Sequence, residues 1–328
     1  MTAEQQMSQS PPPTKDAKPP TRPVPGATLE VRSVSRWYGN HVAVNDISFS
    51  IGPGVTGLLG PNGAGKSTLL HMMAGLLKTS SGEIDIHGED VWRNPDMFRR
   101  VGLVPEHESV YGFLTGFEFV ELAAKLQGME DPTAATRRSI EAVEMEFAQY
   151  RFVGGYSKGM RQRIKIAAGI VDQPDVLLLD EPFNGADPRQ RLQMMEMLRG
   201  MADNGCTILF SSHILEEMER LGERVLVVVS GRLAASGDFR EIRRLMTDRP
   251  HTFTIRTSAD RKFAAALISH PGVHGVEIED GSIIVSTTDF TGFVYDAPRL
   301  AQQRGITIRE IFPRDQSLEK VFEYLVAR

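Results

Sequence analysis

The sequence predicts an α/β core with a largely parallel sheet, a helical subdomain inserted into it, and a small α+β domain behind it. Short apolar runs alternate with helical stretches from residue 28 to about residue 240. A mostly helical segment interrupts that alternation between Thr115 and Ala168. Beyond residue 240 the order becomes β-α-β-β-α-β, the order of a split βαβ unit.

Taken along the chain, residues 1–27 hold seven of the 19 prolines, mixed with Ser, Thr, Gln and Lys. Such a segment cannot bury enough apolar surface to offset its ordering entropy, so it reads as a disordered tail. Strands are expected at Leu29–Val34, Val55–Leu59, Val101–Val104, Val176–Leu179, Thr207–Phe210 and Val225–Val229. Thr115 and Glu118 have capping-box spacing, and the helix they open runs through Val120, Leu122 and Leu126. The inserted helical subdomain is expected over about 107–170 of a core spanning 28–240. From 241 to 328 the reading is a helix at Arg240–Met246, then Phe253–Ile255, helix Arg261–Ser269, Val276–Ile278, Ile283–Val285, helix Phe293–Gln303, Ile306–Ile311 and a helix from Ser317.

A net charge of -5 gives no reason to expect a nucleic-acid partner. Crossing a bilayer takes about 20 consecutive apolar residues. Apolar runs such as Val176–Leu179 and Val225–Val229 are far shorter, so any membrane role is expected to come through a partner. The polar, proline-rich start lacks the apolar region of a secretory signal. A lone Cys206, next to the run Thr207–Phe210, reads as a buried packing residue and fits a reducing compartment. A cytoplasmic protein is the expectation.

The chemistry concentrates at two points. Gly60-Pro61-Asn62-Gly63-Ala64-Gly65-Lys66-Ser67-Thr68 satisfies G-x-x-x-x-G-K-[ST], after an expected strand and before the helical run Leu69, Leu70, Met73. Glycines let backbone N–H groups converge on phosphate oxygens, and the helix dipole adds to the attraction. Lys66 can neutralise the β and γ phosphates, and the Ser67 hydroxyl can ligate Mg²⁺. The second point is Asp180-Glu181, which ends the apolar run Val176–Leu179 and so falls at the carboxyl edge of the sheet. Asp180 suits Mg²⁺ held through its water shell, and Glu181 suits orienting and deprotonating an attacking water.

With these two motifs the chain resembles the ATP-binding subunits of ABC transporters. A third element lies between them, Tyr156-Ser157-Lys158-Gly159-Met160-Arg161-Gln162-Arg163, a variant of the family's Leu-Ser-Gly-Gly-Gln signature 23 residues before Asp180. Ser157 has the chemistry to cap the helix through Ile164, Ile166 and Ala168. The resemblance implies that Ser157 and Gly159 of this motif meet the γ-phosphate held by an opposite subunit, and hence a head-to-tail dimer with two composite ATP sites. The second subunit would be another copy or a related ATP-binding chain. It further implies adenine stacking on Tyr38, with Trp37 either packing or exchanging roles with it. Gly185-Ala186-Asp187 matches the dimer-contacting loop, and His213, 33 residues past Asp180, the switch histidine for the γ-phosphate.

One departure is Glu106, in Val104-Pro105-Glu106, where the family has a glutamine linking Mg²⁺ and water to the transport partner. A glutamate can still accept hydrogen bonds and ligate Mg²⁺. Together with the Tyr-Ser-Lys-Gly-Met signature, it resembles the exporter branch that pairs with separate integral-membrane permeases. The pattern Ser317-Leu318-Glu319-Lys320-Val321-Phe322 matches that branch's C-terminal extension. The expected function is an ATPase that energises an exporter from the inner face of the membrane. The alternative is a soluble ABC-type ATPase acting on ribosomes or another macromolecule. Tyr111, Phe113, Phe117 and Phe119 read either as a groove for a permease helix or as subdomain core. Met194, Met195, Met197 and Met201 read as core packing.

Overall fold

The computed structural model describes residues 26–107, 110–238, 251–279 and 281–313. The tail, the expected helix at Arg240–Met246 and everything from residue 314 lie outside the described residues.

The central sheet has six strands in the order β10-β9-β3-β8-β7-β6. They are β3 (Gly54–Leu59), β6 (Val101–Val104), β7 (Val176–Asp180), β8 (Thr207–Ser212), β9 (Arg224–Val229) and β10 (Arg232–Asp238). All pair in parallel except the edge strand β10, which returns antiparallel to β9. Parallel strands need crossovers that cover both faces, which is why they appear in the sequence as unbroken apolar runs.

The two faces feed two separate cores. Leu59, Leu179, Phe210 and Val227 pack with Ile164, Met195 and Leu198 of the helices α4 (Lys158–Gly169) and α5 (Pro188–Asp203). Leu58, Leu178, Leu209 and Leu226 pack on the other face against Leu69 and Leu70 of α1 (Lys66–Met73). Met194 and Met195 are buried, and Met197 and Met201 pack against the first core, as expected of packing residues. Each fully buried side chain of this size contributes about 1.5–3 kcal/mol.

Leu29–Val34, expected in the parallel sheet, does not belong to it. It lies in β1 (Leu29–Tyr38), one strand of a separate antiparallel sheet ordered β2-β1-β4-β5, with β2 (His41–Ile51), β4 (Ser81–Ile86) and β5 (Glu89–Asp90). Over most of their length these strands bury alternate residues, Leu29 and Val31 packing with Ile47, Phe49, Ile51, Ile84 and Ile86 in the second core. The intervening Asn45, Asp46, Ser48 and Ser50 broke the apolar run that marked the other strands.

The helical subdomain contains α2 (Gly116–Leu126), α3 (Pro132–Ala142) and the start of α4. Its capping box is formed: Glu118 N donates to Thr115 Oγ1 at 3.2 Å and Thr115 N to Glu118 Oε2 at 2.8 Å. The Thr115 backbone N–H and the Thr115 hydroxyl, both donating to Oε2, hold the Glu118 carboxyl below its usual range.

The last sheet is antiparallel, ordered β12-β13-β11-β14. Its strands are β11 (His251–Thr257), β12 (Val273–Glu279), β13 (Ser282–Thr287) and β14 (Ile308–Pro313), with α7 (Asp260–Ile268) and α8 (Phe290–Gln303) between them. The β-α-β-β-α-β order read from the sequence is therefore present. Phe253, Ile255, Ile283 and Val285 close a third core with Phe263, Leu267, Phe293 and Ala297.

Cys206 is buried at the start of β8, where its Sγ meets the Pro174 carbonyl at 3.3 Å. Burial, aided by the Asp175 charge, pushes its thiol up to about 11. Only the thiolate is nucleophilic, so iodoacetamide at pH 8 should alkylate the native chain about 100-fold more slowly than the urea-unfolded chain. Equal rates by mass spectrometry would contradict this burial.

Candidate active site

The register of the parallel strands sets the geometry. Leu58 of β3 and Asp180 of β7 both pair with Ser211 of β8, and Leu59 pairs with Ser212. The strand ends that carry the glycine loop, the acidic pair and His213 therefore lie side by side at one carboxyl edge, where α/β sheets bind ligands.

The loop from Gly60 to Gly65 leaves β3 and enters α1, whose first turn has no side-chain cap. The amides of Lys66, Ser67 and Thr68 are thus left for another acceptor. Gly65 stands at φ 101°, and a Cβ there would collide with the Ala43 carbonyl oxygen of β2. The antiparallel sheet presses on the loop from that side, and only glycine fits. Lys66 folds back over the loop and is buried, its Nζ donating to the carbonyls of Gly60 at 2.7 Å and Pro61 at 3.2 Å.

Asp180 and Glu181 are both buried at the end of β7. Ser211 bridges them: its Oγ donates to Asp180 Oδ1 at 2.5 Å and accepts from Glu181 N at 2.9 Å. Glu181 is held at φ 48°, left-handed for a residue with a Cβ, which costs on the order of 1–2 kcal/mol. Its Oε1 lies 3.7 Å from Lys66 Nζ and 3.0 Å from His213 Nδ1. One carboxylate oxygen thus meets the loop lysine and the histidine together. The Ser67 hydroxyl and the Asp180 carboxylate are hard oxygen donors of the kind Mg²⁺ takes while keeping several waters.

Ser157 caps α4, accepting from Met160 N at 3.2 Å. The start of that helix packs on the loop before α5, and a Cβ on Gly159 would come within 2.5 Å of Gln190 Oε1. Among the described residues, no hydrogen bond or ion pair joins Ser157 or Gly159 to Lys66, Glu181 or His213. Trp37 and Tyr38 are 46% and 47% exposed, so burial does not single out either as a packing residue. They differ in that the Arg36 guanidinium stacks on the Tyr38 ring at 4.8 Å. The Glu106 carboxylate is exposed and makes no hydrogen bond or ion pair among the described residues.

Two groups of contacts escaped the sequence reading. Ser211 and Ser212 carry no sequence signal of their own, yet Ser211 orients both acids. Lys165 of α4 sends its Nζ to the carbonyls of Pro105 at 2.7 Å, His107 at 3.1 Å and Glu106 at 3.3 Å, fixing the backbone beside Glu106. The only local signal for Lys165 was a cation on the buried side of an amphipathic helix.

A lysine-bearing glycine loop next to a strand-end carboxylate pair is the arrangement of P-loop proteins that bind nucleoside triphosphates. Comparison with known proteins places it more narrowly. Residues 44–184 match the family described as ABC transporter. The chain is 31% identical to the daunorubicin resistance ATP-binding protein DrrA3 of Streptomyces coeruleorubidus, over 90% of this chain and 95% of that one. It is 40% identical to the Nod factor export ATP-binding protein I of Burkholderia orbicola, over 64% of this chain and 71% of that one. A solved structure of the ATP binding subunit of an ABC transporter superposes with a TM-score of 0.61 at 30% identity, covering 67% of this chain and 93% of the other. The chain belongs to the ATP-binding subunits of ABC transporters and is an ATPase.

Ser211→Ala would leave the buried Asp180 Oδ1 and the Glu181 amide without their shared partner. Urea denaturation should show a loss of about 1–3 kcal/mol. An unchanged midpoint would mean that the bridge contributes nothing to the folded state.

Proposed function

We propose that this chain energises a membrane exporter through a separate permease, working on the cytoplasmic side as a head-to-tail pair with a second copy or a related ATP-binding subunit. The observation that carries the hydrolytic half is the meeting of Lys66, Glu181 and His213 at one sheet edge. Kinship with ATP-binding proteins of drug resistance and Nod factor export supports the transport half. Among the described residues no helix is long and apolar enough to cross a membrane, which agrees with a permease supplied by another chain.

On this reading the phosphates of ATP enter the loop from Gly60 to Thr68, and Lys66 exchanges its carbonyl partners for phosphate oxygens. Adenine stacks on the Tyr38 ring. Ser67 and Asp180 would hold Mg²⁺, with Glu106 as a further oxygen donor; when bound, the ion would supply positive charge against the β and γ phosphates. Glu181 orients the attacking water and takes its proton, while His213 fixes the carboxylate and senses the γ-phosphate. Ser157 and Gly159 of the partner subunit close the site from the other side, where the capped helix start presents its amides to the γ-phosphate. Residues 28–240 form the ATP-binding unit, and 241–328 an accessory unit. Closing around ATP and reopening after hydrolysis shift the permease between two conformations.

Removing the base should separate binding from hydrolysis. Glu181→Gln is expected to lower turnover at least about 100-fold and to accumulate a dimer with Mg-ATP. A variant that stays monomeric by light scattering, with and without permease, would sink the head-to-tail pair.

The aromatic cluster divides into two roles. Phe117 and Phe119 lean on the first core, whereas Tyr111 and Phe113 are exposed, their tilted rings 5.8 Å apart between centroids. Phe113 is the docking residue for the permease on this reading. Phe113→Asp should abolish co-purification with the permease and leave basal ATP hydrolysis within about twofold; retained co-purification would remove Phe113 from that role.

A further inference from the structure

Glu217, on α6 (Leu215–Leu221), is a charged group that the hydrolytic scheme leaves unused, although it sits four residues past His213. Its side chain is 4% exposed. Ser212 Oγ donates to Glu217 Oε2 at 2.6 Å, and Arg191 Nη1 lies 3.4 Å from Glu217 Oε1. Ser212 Oγ also accepts from Ile214 N at 3.0 Å. One carboxylate therefore fixes, through one hydroxyl, the residues on both sides of His213.

The other end of this connection lies on α5. Arg191 occupies its first turn, where its backbone N–H donates to Asp187 O at 2.9 Å. Asp187 caps that helix by accepting from Gln190 N at 2.9 Å, and it follows directly on Gly185 and Ala186. A continuous path of bonds thus runs from the loop at 185–187 through Arg191, Glu217 and Ser212 to the backbone that carries His213. Burial raises the Glu217 carboxyl above its usual range, while Ser212 and Arg191 hold it back. A buried carboxylate of this kind is costly to keep unless its partners stay in place, so its geometry follows theirs.

We propose that Glu217 is a positioning residue for ATP hydrolysis, setting His213 against Glu181, and that Arg191 ties this setting to the loop at 185–187. The proposal rests on the roles given above to Glu181 and His213. When that loop shifts, Arg191 moves with the start of α5, and the ion pair carries the shift to the histidine. A path of contacts becomes a coupling only if its members act as a unit, and that is measurable.

The test compares Glu217→Gln, Arg191→Met and the double variant in the full chain, with His213→Ala alongside. Each single variant should lower kcat about tenfold with the KM for ATP held within about twofold. The double variant should be no slower than the slower single one, because both break the same path. Arg191→Lys, which keeps the charge, should recover most of the rate. Losses that multiply in the double variant, or a change in KM or urea midpoint with kcat intact, would overturn the proposal. Should Glu217→Gln fail to fold, the part-exposed Arg191→Met decides the matter by its effect on kcat. If His213→Ala is slow while Arg191→Met and Glu217→Gln run at the parent rate, this inference fails and the site reading stands. If His213→Ala keeps the parent rate, the site reading fails instead.

Discussion

The site depends on the parallel pairing of β3, β8 and β7. A one-residue slip in either pairing would move a strand end by about 3.3 Å and turn its side chains to the opposite face. That distance exceeds the 2.5–3.0 Å bonds by which Ser211 and His213 hold Asp180 and Glu181. Slippage is suppressed because both faces of these strands are buried in different cores, Leu177 and Leu179 in one and Val176 and Leu178 in the other. A slip would put every one of these side chains into a core packed around a different one, and close packing on both faces resists that exchange. The apolar register is therefore what fixes the polar geometry.

Within that frame the site holds opposing charges close together without neutralising them fully. Lys66 Nζ is 3.7 Å from Glu181 Oε1, beyond hydrogen-bond reach, and its hydrogen bonds go to the Gly60 and Pro61 carbonyls. Neutral acceptors keep the buried ammonium satisfied while leaving its charge available to a polyanion. The left-handed backbone at Glu181 persists because the strand end before it and the Ser211 bond to its N–H together leave it no other conformation. Phosphate binding replaces weak acceptors with strong ones, which favours the loop filled over the loop empty.

What was legible in the sequence follows from which interactions are local. The glycine loop, the Ser157 cap and the Thr115–Glu118 box act within a few residues, and their spacing shows it. The strands of the central sheet were visible because two-sided burial makes them continuous apolar runs. β2 and β4 bury one face only, and their alternation was diluted by serine, asparagine and acidic residues, so the antiparallel sheet went unread. Ser211, Lys165 and Glu217 were invisible for another reason. Ser211 joins residues 30 and 31 positions away, Lys165 reaches 58–60 positions, and Glu217 ties Ser212, five positions away, to Arg191, 26 positions away; no local pattern marks any of them as a bridge. Glu106 marks the limit of motif reading: its place beside the sheet edge was legible, but its carboxylate is not drawn into the acidic cluster.

The helix α4 connects what a single chain keeps apart. Its start, at Ser157 and Gly159, packs on the loop before α5 and makes no polar bond to the phosphate loop among the described residues. Eight residues further on, about 12 Å along the axis, Lys165 holds three successive carbonyls of the loop around Glu106. An anion meeting its capped end would therefore act on the same helix whose Lys165 holds the Glu106 loop. On the proposed reading that anion is the γ-phosphate of the partner subunit, and that loop precedes the exposed Tyr111 and Phe113 in the chain. Nucleotide contact and permease contact would then be joined by one buried ammonium, which supplies a physical reason for a lysine on the inward side of a packed helix.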